Sequence, residues 1–157
     1  MRKNKVCVIE QILIKSYNKY YKLAFSYVQN DTDAMDIVQE SAYKAIKSAN
    51  SLKEIKYVDT WIYRIVINQC KTFLSKSSNL TENIEDINVS FNDNYENIDL
   101  KNALNMLDND EKAIVILRFF EDLKIEDIAN ILNINVNTVK SKLYRCLKKL
   151  GSIIEEV

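Results

Sequence analysis

Ile125–Tyr144 reads IEDIANILNINVNTVKSKLY, and this stretch decides the fold. Ile128, Leu132, Val139 and Leu143 supply an apolar seam at helical spacing on either side of Asn133-Ile134-Asn135. Ala129 is small where two helices must cross closely. Asn133 stands where the turn needs a left-handed residue, a conformation Asn tolerates better than most. A short helix, a tight turn and a second helix make the spacing of a helix-turn-helix, whose second helix lies in a DNA major groove. The polar residues of that helix, Asn137, Thr138, Lys140, Ser141, Lys142, Tyr144 and Arg145, combine amide, hydroxyl and cationic groups. Such groups suit base edges and phosphates. An ordinary helical hairpin with a solvated basic face is the plainer alternative; seam, turn and an acid-free run over 135–150 together favour the nucleic-acid reading.

Outward from this stretch, composition narrows the field. The chain has 157 residues, one glycine, no proline and no histidine. A glycine-rich phosphate loop cannot be built from Gly151 alone, and most β-rich folds need more turn residues than are present. The absence of histidine excludes His-dependent triads and His-containing zinc sites. No metal site and no cofactor are expected, and no nucleophile–base pair can be assembled, so the expectation is a protein that is not an enzyme. No apolar run is long enough to span a membrane. The basic start MRKNKVCVIEQ is interrupted at Glu10 and Gln11, too early for a secretory signal. Cys7, Cys70 and Cys146 are odd in number and far apart, which predicts small buried thiols in a cytoplasmic protein.

The net charge of zero hides a partition. Residues 1–76 hold 13 basic and 7 acidic side chains, residues 77–111 hold one basic and nine acidic, and residues 112–157 hold eight basic and six acidic. Two modestly basic modules joined by an acidic strap describe the chain better than neutrality does. The run 75–97, SKSSNLTENIEDINVSFNDNYEN, reads as a linker. The expected fold is all-α: an N-terminal helical bundle over 1–76, an acidic flexible linker over 77–98, and a C-terminal helix-turn-helix bundle over 99–157.

In the first half, apolar residues from Ile12 to Val28 predict one helix starting near Ile9, and Asn30-Asp31-Thr32 ends it and caps the next. Asn50-Ser51 is expected to break that second helix. A third, from Val58 to about Leu74, is apolar nearly all round and therefore central. Past the linker, Asp108 is expected to cap a helix bearing Ala113, Ile114, Leu117 and Phe120. Asp33, Asp36 and Glu40 fall at i, i+3 and i+7, placing three carboxylates on one helix face; the plain account is a solvated face with favourable charge at a helix start. Trp61, Tyr57 and Tyr63 are able to stack unpaired bases, though most of the nine tyrosines are more simply core.

These motifs resemble those of bacterial sigma factors of the small extracytoplasmic-function group. Leu107-x-x-x-Glu111-Lys112-x-x-x-x-Leu117-Arg118-Phe119, Ile128-Ala129 and Thr138-Val139-Lys140-Ser141-Lys142-Leu143-Tyr144-Arg145 are similar to their fourth domain. Asp33-Ala34-x-Asp36-x-x-Gln39-Glu40 and Trp61-Ile62-Tyr63-Arg64-Ile65-x-x-Asn68 resemble their second domain. The chain departs from the family at Asn133, where a glycine is usual, and at Lys142 and Leu147, where arginines are. The resemblance implies promoter-specific initiation, of stress or envelope-response genes, with core RNA polymerase (clamp helices and flap), promoter DNA and an anti-sigma factor as partners. It implies that Asp33, Asp36, Gln39 and Glu40 dock on the clamp and that the second helix of the helix-turn-helix reads the minus-thirty-five element. The loop Ser48–Asp59, with Asn50, Ser51, Lys53, Lys56 and Tyr57 and supported by Trp61, is implied to hold the melted minus-ten element. A conventional helix-turn-helix regulator, binding duplex DNA alone, and a helical protein-binding adaptor are the competing readings.

Overall fold

A computed structural model describes residues 2–80, 102–103 and 105–155 of the chain, with side chains over 2–76, 102–103 and 105–151. Two compact units emerge, Met1–Ile87 and Asn88–Val157. Among the described residues both are built from helices and turns alone.

The first unit departs from the expected single helix between Ile9 and Val28. It has two, α1 (Arg2–Lys15) and α2 (Tyr17–Val28), separated at Ser16 with φ −106° and ψ 16°. The Ser16 N–H still donates to Ile12 O at 2.8 Å, and Ser16 O accepts from the Tyr20 N–H at 3.2 Å. Backbone hydrogen bonds therefore bridge the kink, and the apolar spacing passes through it almost undisturbed; periodicity alone is blind to such a break. Gln29 closes α2 in the left-handed conformation, φ 53°, its N–H returning to Phe25 O. Asn30 then caps α3 (Asp31–Lys47), its side-chain oxygen accepting from the Asp33 N–H at 3.0 Å. α3 stops at Ser48, ahead of the expected Asn50-Ser51, and short 3₁₀ turns occupy Ala49–Ser51 and Ile55–Tyr57.

α4 runs from Val58 to Leu80, past the expected end at Leu74. Its last residues include neither Gly nor Pro, and each Ser, Lys or Asn costs a helix no more than about 0.7 kcal/mol, so nothing there stops propagation. The remainder of the expected acidic linker lies outside the described residues. α2, α3 and α4 pack on one another, and α1 leans on α3 and the turn Ala49–Ser51. Tyr20, Leu23, Ile37, Val38, Ile62, Val66, Ile67 and Cys70 fill the interior, with Ile9 added from α1. Tyr20 and Tyr63 meet edge to face at 5.1 Å.

In the second unit the Asp108 carboxylate accepts from the Glu111 N–H at 2.8 Å and caps α5 (Asn109–Val115). The chain then widens into a π-helical turn over Ile116–Phe120, where the Glu121 N–H reaches Ile116 O at 3.1 Å. Phe120, named with Ala113, Ile114 and Leu117 on the expected helix, parts from them here. The wider turn shifts the register, and Phe119 and Phe120 both stand exposed while Ile116 and Leu117 stay buried. Arg118 donates to Leu123 O at 3.1 Å and holds the following turn. α6 (Ile125–Leu132) and α7 (Val136–Glu155) complete the unit around Ile114, Leu117, Ile128, Ile131, Val139 and Cys146.

Candidate nucleic-acid interface

The turn between α6 and α7 is built as its residues dictate. Asn133 is left-handed, φ 56° and ψ 46°, and its N–H returns to Ala129 O. Asn135 caps α7: its side-chain oxygen accepts from the Asn137 N–H at 2.8 Å, and its carbonyl accepts from the Val139 N–H. α7 buries Val139 and Cys146 and half-buries Val136, Leu143 and Leu150. Asn137, Thr138, Lys140, Ser141, Tyr144 and Arg145 are exposed, whereas Lys142 is half-buried. Lys148, outside the expected set, places its ammonium 5.3 Å above the Tyr144 ring.

α5 supplies a feature that sequence spacing did not reach. Glu111 is buried, and its carboxylate accepts from the Cys146 thiol at 3.3 Å and from the Lys149 ammonium at 3.2 and 3.3 Å. Local periodicity has no means of linking residues so far apart. Burial, followed by the bond to Glu111, pushes the Cys146 thiol up to about 12, so it stays protonated and donates. Desolvation pushes the neighbouring Asp108 carboxyl up. Hydrogen bonding by Glu111 and the charges of Lys142 and Lys149 outweigh it, leaving the carboxyl below its ordinary value.

In the first unit, the acidic row is real and facing outward. Asp36, Gln39 and Glu40 are exposed and Asp33 is half-buried near the start of α3. Partial burial, and then repulsion from Asp36, raise the Asp33 carboxyl above its ordinary value. The loop residues Asn50, Ser51, Lys53, Lys56 and Tyr57 are exposed too, while Trp61 is half-buried at the start of α4. Lys56 lies 4.9 Å from the Tyr57 ring centre and 3.4 Å from Glu54. Of the tyrosines whose side chains are described, only Tyr20, Tyr27 and Tyr63 are buried; Tyr17, Tyr43, Tyr57 and Tyr144 are exposed, so the expectation of a mostly core role is corrected. Cys7 is a second correction. It lies on the outer side of α1, two residues from buried Ile9 and so turned away from the interior. Among the described residues, no group of three His, Cys, Asp or Glu side chains is gathered to hold a metal, and no helix is long and apolar enough to cross a membrane.

Two family models match in order along the chain: Sigma-70 region 2 over residues 13–79 and Sigma-70, region 4 over residues 98–150. The chain belongs to the sigma-70 family. Among its relatives, RNA polymerase sigma factor SigV of Bacillus subtilis is 45% identical over 133 residues, covering 82% of this chain and 80% of that protein. The ECF RNA polymerase sigma-E factor of Haemophilus influenzae is 32% identical over 165 residues, covering 92% and 86%. The fold matches that of the sigma factor RpoE, solved with the anti-sigma factor NepR from Bartonella quintana, with a TM-score of 0.77 at 24% identity over 93% of this chain and 96% of that one. It also matches CnrH, solved with the cytosolic domain of CnrY, with a TM-score of 0.72 at 17% identity over 94% and 88%. This sigma factor therefore acts in promoter-specific transcription initiation with RNA polymerase. The region 2 match spans the acidic row, the loop and Trp61, and the region 4 match spans Glu111 and the outward residues of α7.

Proposed function

We propose that the exposed face of α7 in this sigma factor reads the minus-thirty-five element through Asn137, Thr138, Lys140, Ser141, Tyr144 and Arg145, with Lys142 at its edge. Asp33, Asp36, Gln39 and Glu40 dock on the polymerase clamp helices, and the second unit meets the flap. The loop with Asn50, Ser51, Lys53, Lys56 and Tyr57, backed by Trp61, receives the melted minus-ten strand. Residues 1–76 and 99–157 are then the two working modules and 77–98 the acidic strap between them. An anti-sigma factor, the kind of partner with which RpoE was solved, restrains the protein until stress or envelope-response genes are needed. The protein works in the cytoplasm by binding, without chemistry of its own. The observation that carries the reading is the acid-free polar face of α7 over 136–150, held outward by the buried Val139 and Cys146 beneath it.

The test separates a sigma factor that needs polymerase from a regulator that binds alone. α7 offers few cations, so the free protein binds promoter duplex only in the non-specific range, about 10⁻⁴–10⁻⁶ M at physiological salt. Core polymerase converts this into tight, strand-opening binding, read by gel shift and permanganate footprinting. Asp36→Lys, which puts a cation into the carboxylate row at an exposed position, abolishes the conversion without unfolding the protein. Tight sequence-specific duplex binding by the protein alone would overturn the proposal.

A further inference from the structure

Glu111 is 8% exposed, a burial that carboxylates rarely accept without partners. Both of its side-chain partners described above, Cys146 and Lys149, stand on α7, three residues apart and one turn from each other. The apolar contacts of α7, through Val139, Cys146 and Leu150, are non-directional and resist small rotations weakly. A carboxylate that bonds two donors at i and i+3 is directional. Turning α7 by one residue, about 100°, would carry both donors away from it. Lys140, Tyr144 and Lys148 lie on another face of the same helix, so the rotation that Glu111 fixes is also the rotation that aims them outward.

We infer that Glu111 is a positioning residue for DNA reading: it sets the rotation of α7 through Cys146 and Lys149, and it holds the Lys149 charge away from DNA. The inference rests on α7 being the reading helix. Within that role, the cations of α7 divide into two groups. Lys140 is free to meet phosphate, and Lys149 is committed to Glu111. Asp108, the cap of α5, adds a second acid on the side of Lys142 and Lys149.

The experiment measures holoenzyme binding to promoters with matched or mismatched upstream elements across a range of salt. Lys140→Ala lowers the magnitude of the salt slope by about 0.9. Lys149→Gln, which removes the charge but keeps a donor for Glu111, leaves the slope unchanged. Glu111→Ala lowers the preference for the matched element about tenfold, within the range of a single base contact. Glu111→Gln, which keeps an acceptor, restores most of that preference. A fall in slope for Lys149→Gln equal to that for Lys140→Ala overturns the inference, as does a full preference retained by Glu111→Ala. Should Glu111→Ala fail to fold, Glu111→Gln and Lys149→Gln decide the matter. An unchanged slope for Lys140→Ala would mean that α7 is not the reader; the proposed function and the inference then fall together, which sets that result apart from failure at Glu111 alone.

Discussion

Three cysteines with the same side chain have three different fates, because their helices face them differently. Cys7 is exposed, Cys70 lies in the interior of the first unit, and Cys146 is tied to Glu111 in the second. Burial pushes the Cys70 thiol up to about 12, where the Cys146 thiol also stands, and the nucleophile in thiol chemistry is the thiolate. A thiol reagent at neutral pH should therefore label Cys7 rapidly in the native protein, with Cys70 and Cys146 reacting only on unfolding. Rapid labelling of all three in folded protein would contradict the packing. Asn133 makes a second residue-scale test. Its left-handed backbone suits Asn and penalises a plain side chain by about 1–2 kcal/mol, so Asn133→Ala should destabilise the second unit by about that much in urea melts.

At the scale of the element, helix caps fix where α3 and α5 begin. Asn30 starts α3 three residues ahead of Asp33, so the cap sets the phase of the carboxylate row. Asn30→Ala should cost about 1 kcal/mol of stability and weaken core-polymerase binding, measured by thermal melting and by holoenzyme assembly. Asp108 caps α5 in the same way but with a charge. Its carboxyl lies below the ordinary 3.8 in the folded chain, so the ionised form is favoured by folding. The stability it contributes is fully present above pH 3.8 and is lost as the pH falls through the lower folded value. Asp108→Asn keeps a capping oxygen and removes the charge, and should flatten the acid limb of the second unit's stability curve below pH 3.8. An acid limb identical to that of the unaltered protein would assign the sensitivity to other groups.

At the scale of the whole molecule, each unit has its own buried interior. The first is closed around Tyr20, Ile62, Val66 and Ile67, and the second around Ile114, Leu117, Ile128 and Val139. A unit with its own core has what it needs to fold by itself. Expressed separately, residues 1–80 and 99–157 should each melt cooperatively by circular dichroism. A fragment that unfolds without a transition would show that its core depends on the other. The charge partition has a different consequence: the two basic modules and the acid-rich stretch over 77–111 sit on one chain with no net charge. Affinity for DNA then depends on where the cations are presented rather than on their sum.

The sequence by itself determined the helical class, the helix-turn-helix with its left-handed Asn133, the caps at Asn30 and Asp108, and the phase of the carboxylate row. Each of these rests on local chemistry, where apolar spacing, capping oxygens and left-handed tolerance act within one or two turns of chain. The break at Ser16 and the continuation of α4 to Leu80 were not legible, because a kink that keeps its hydrogen bonds preserves the period and a polar run without Gly or Pro carries no stop signal. The outward turn of Phe120 depended on one wide helical turn, which no spacing rule anticipates. Only the tertiary structure decided that Glu111 meets Cys146 and Lys149. A buried carboxylate finds its partners through packing of α5 on α7, and nothing local in the chain marks those residues as neighbours.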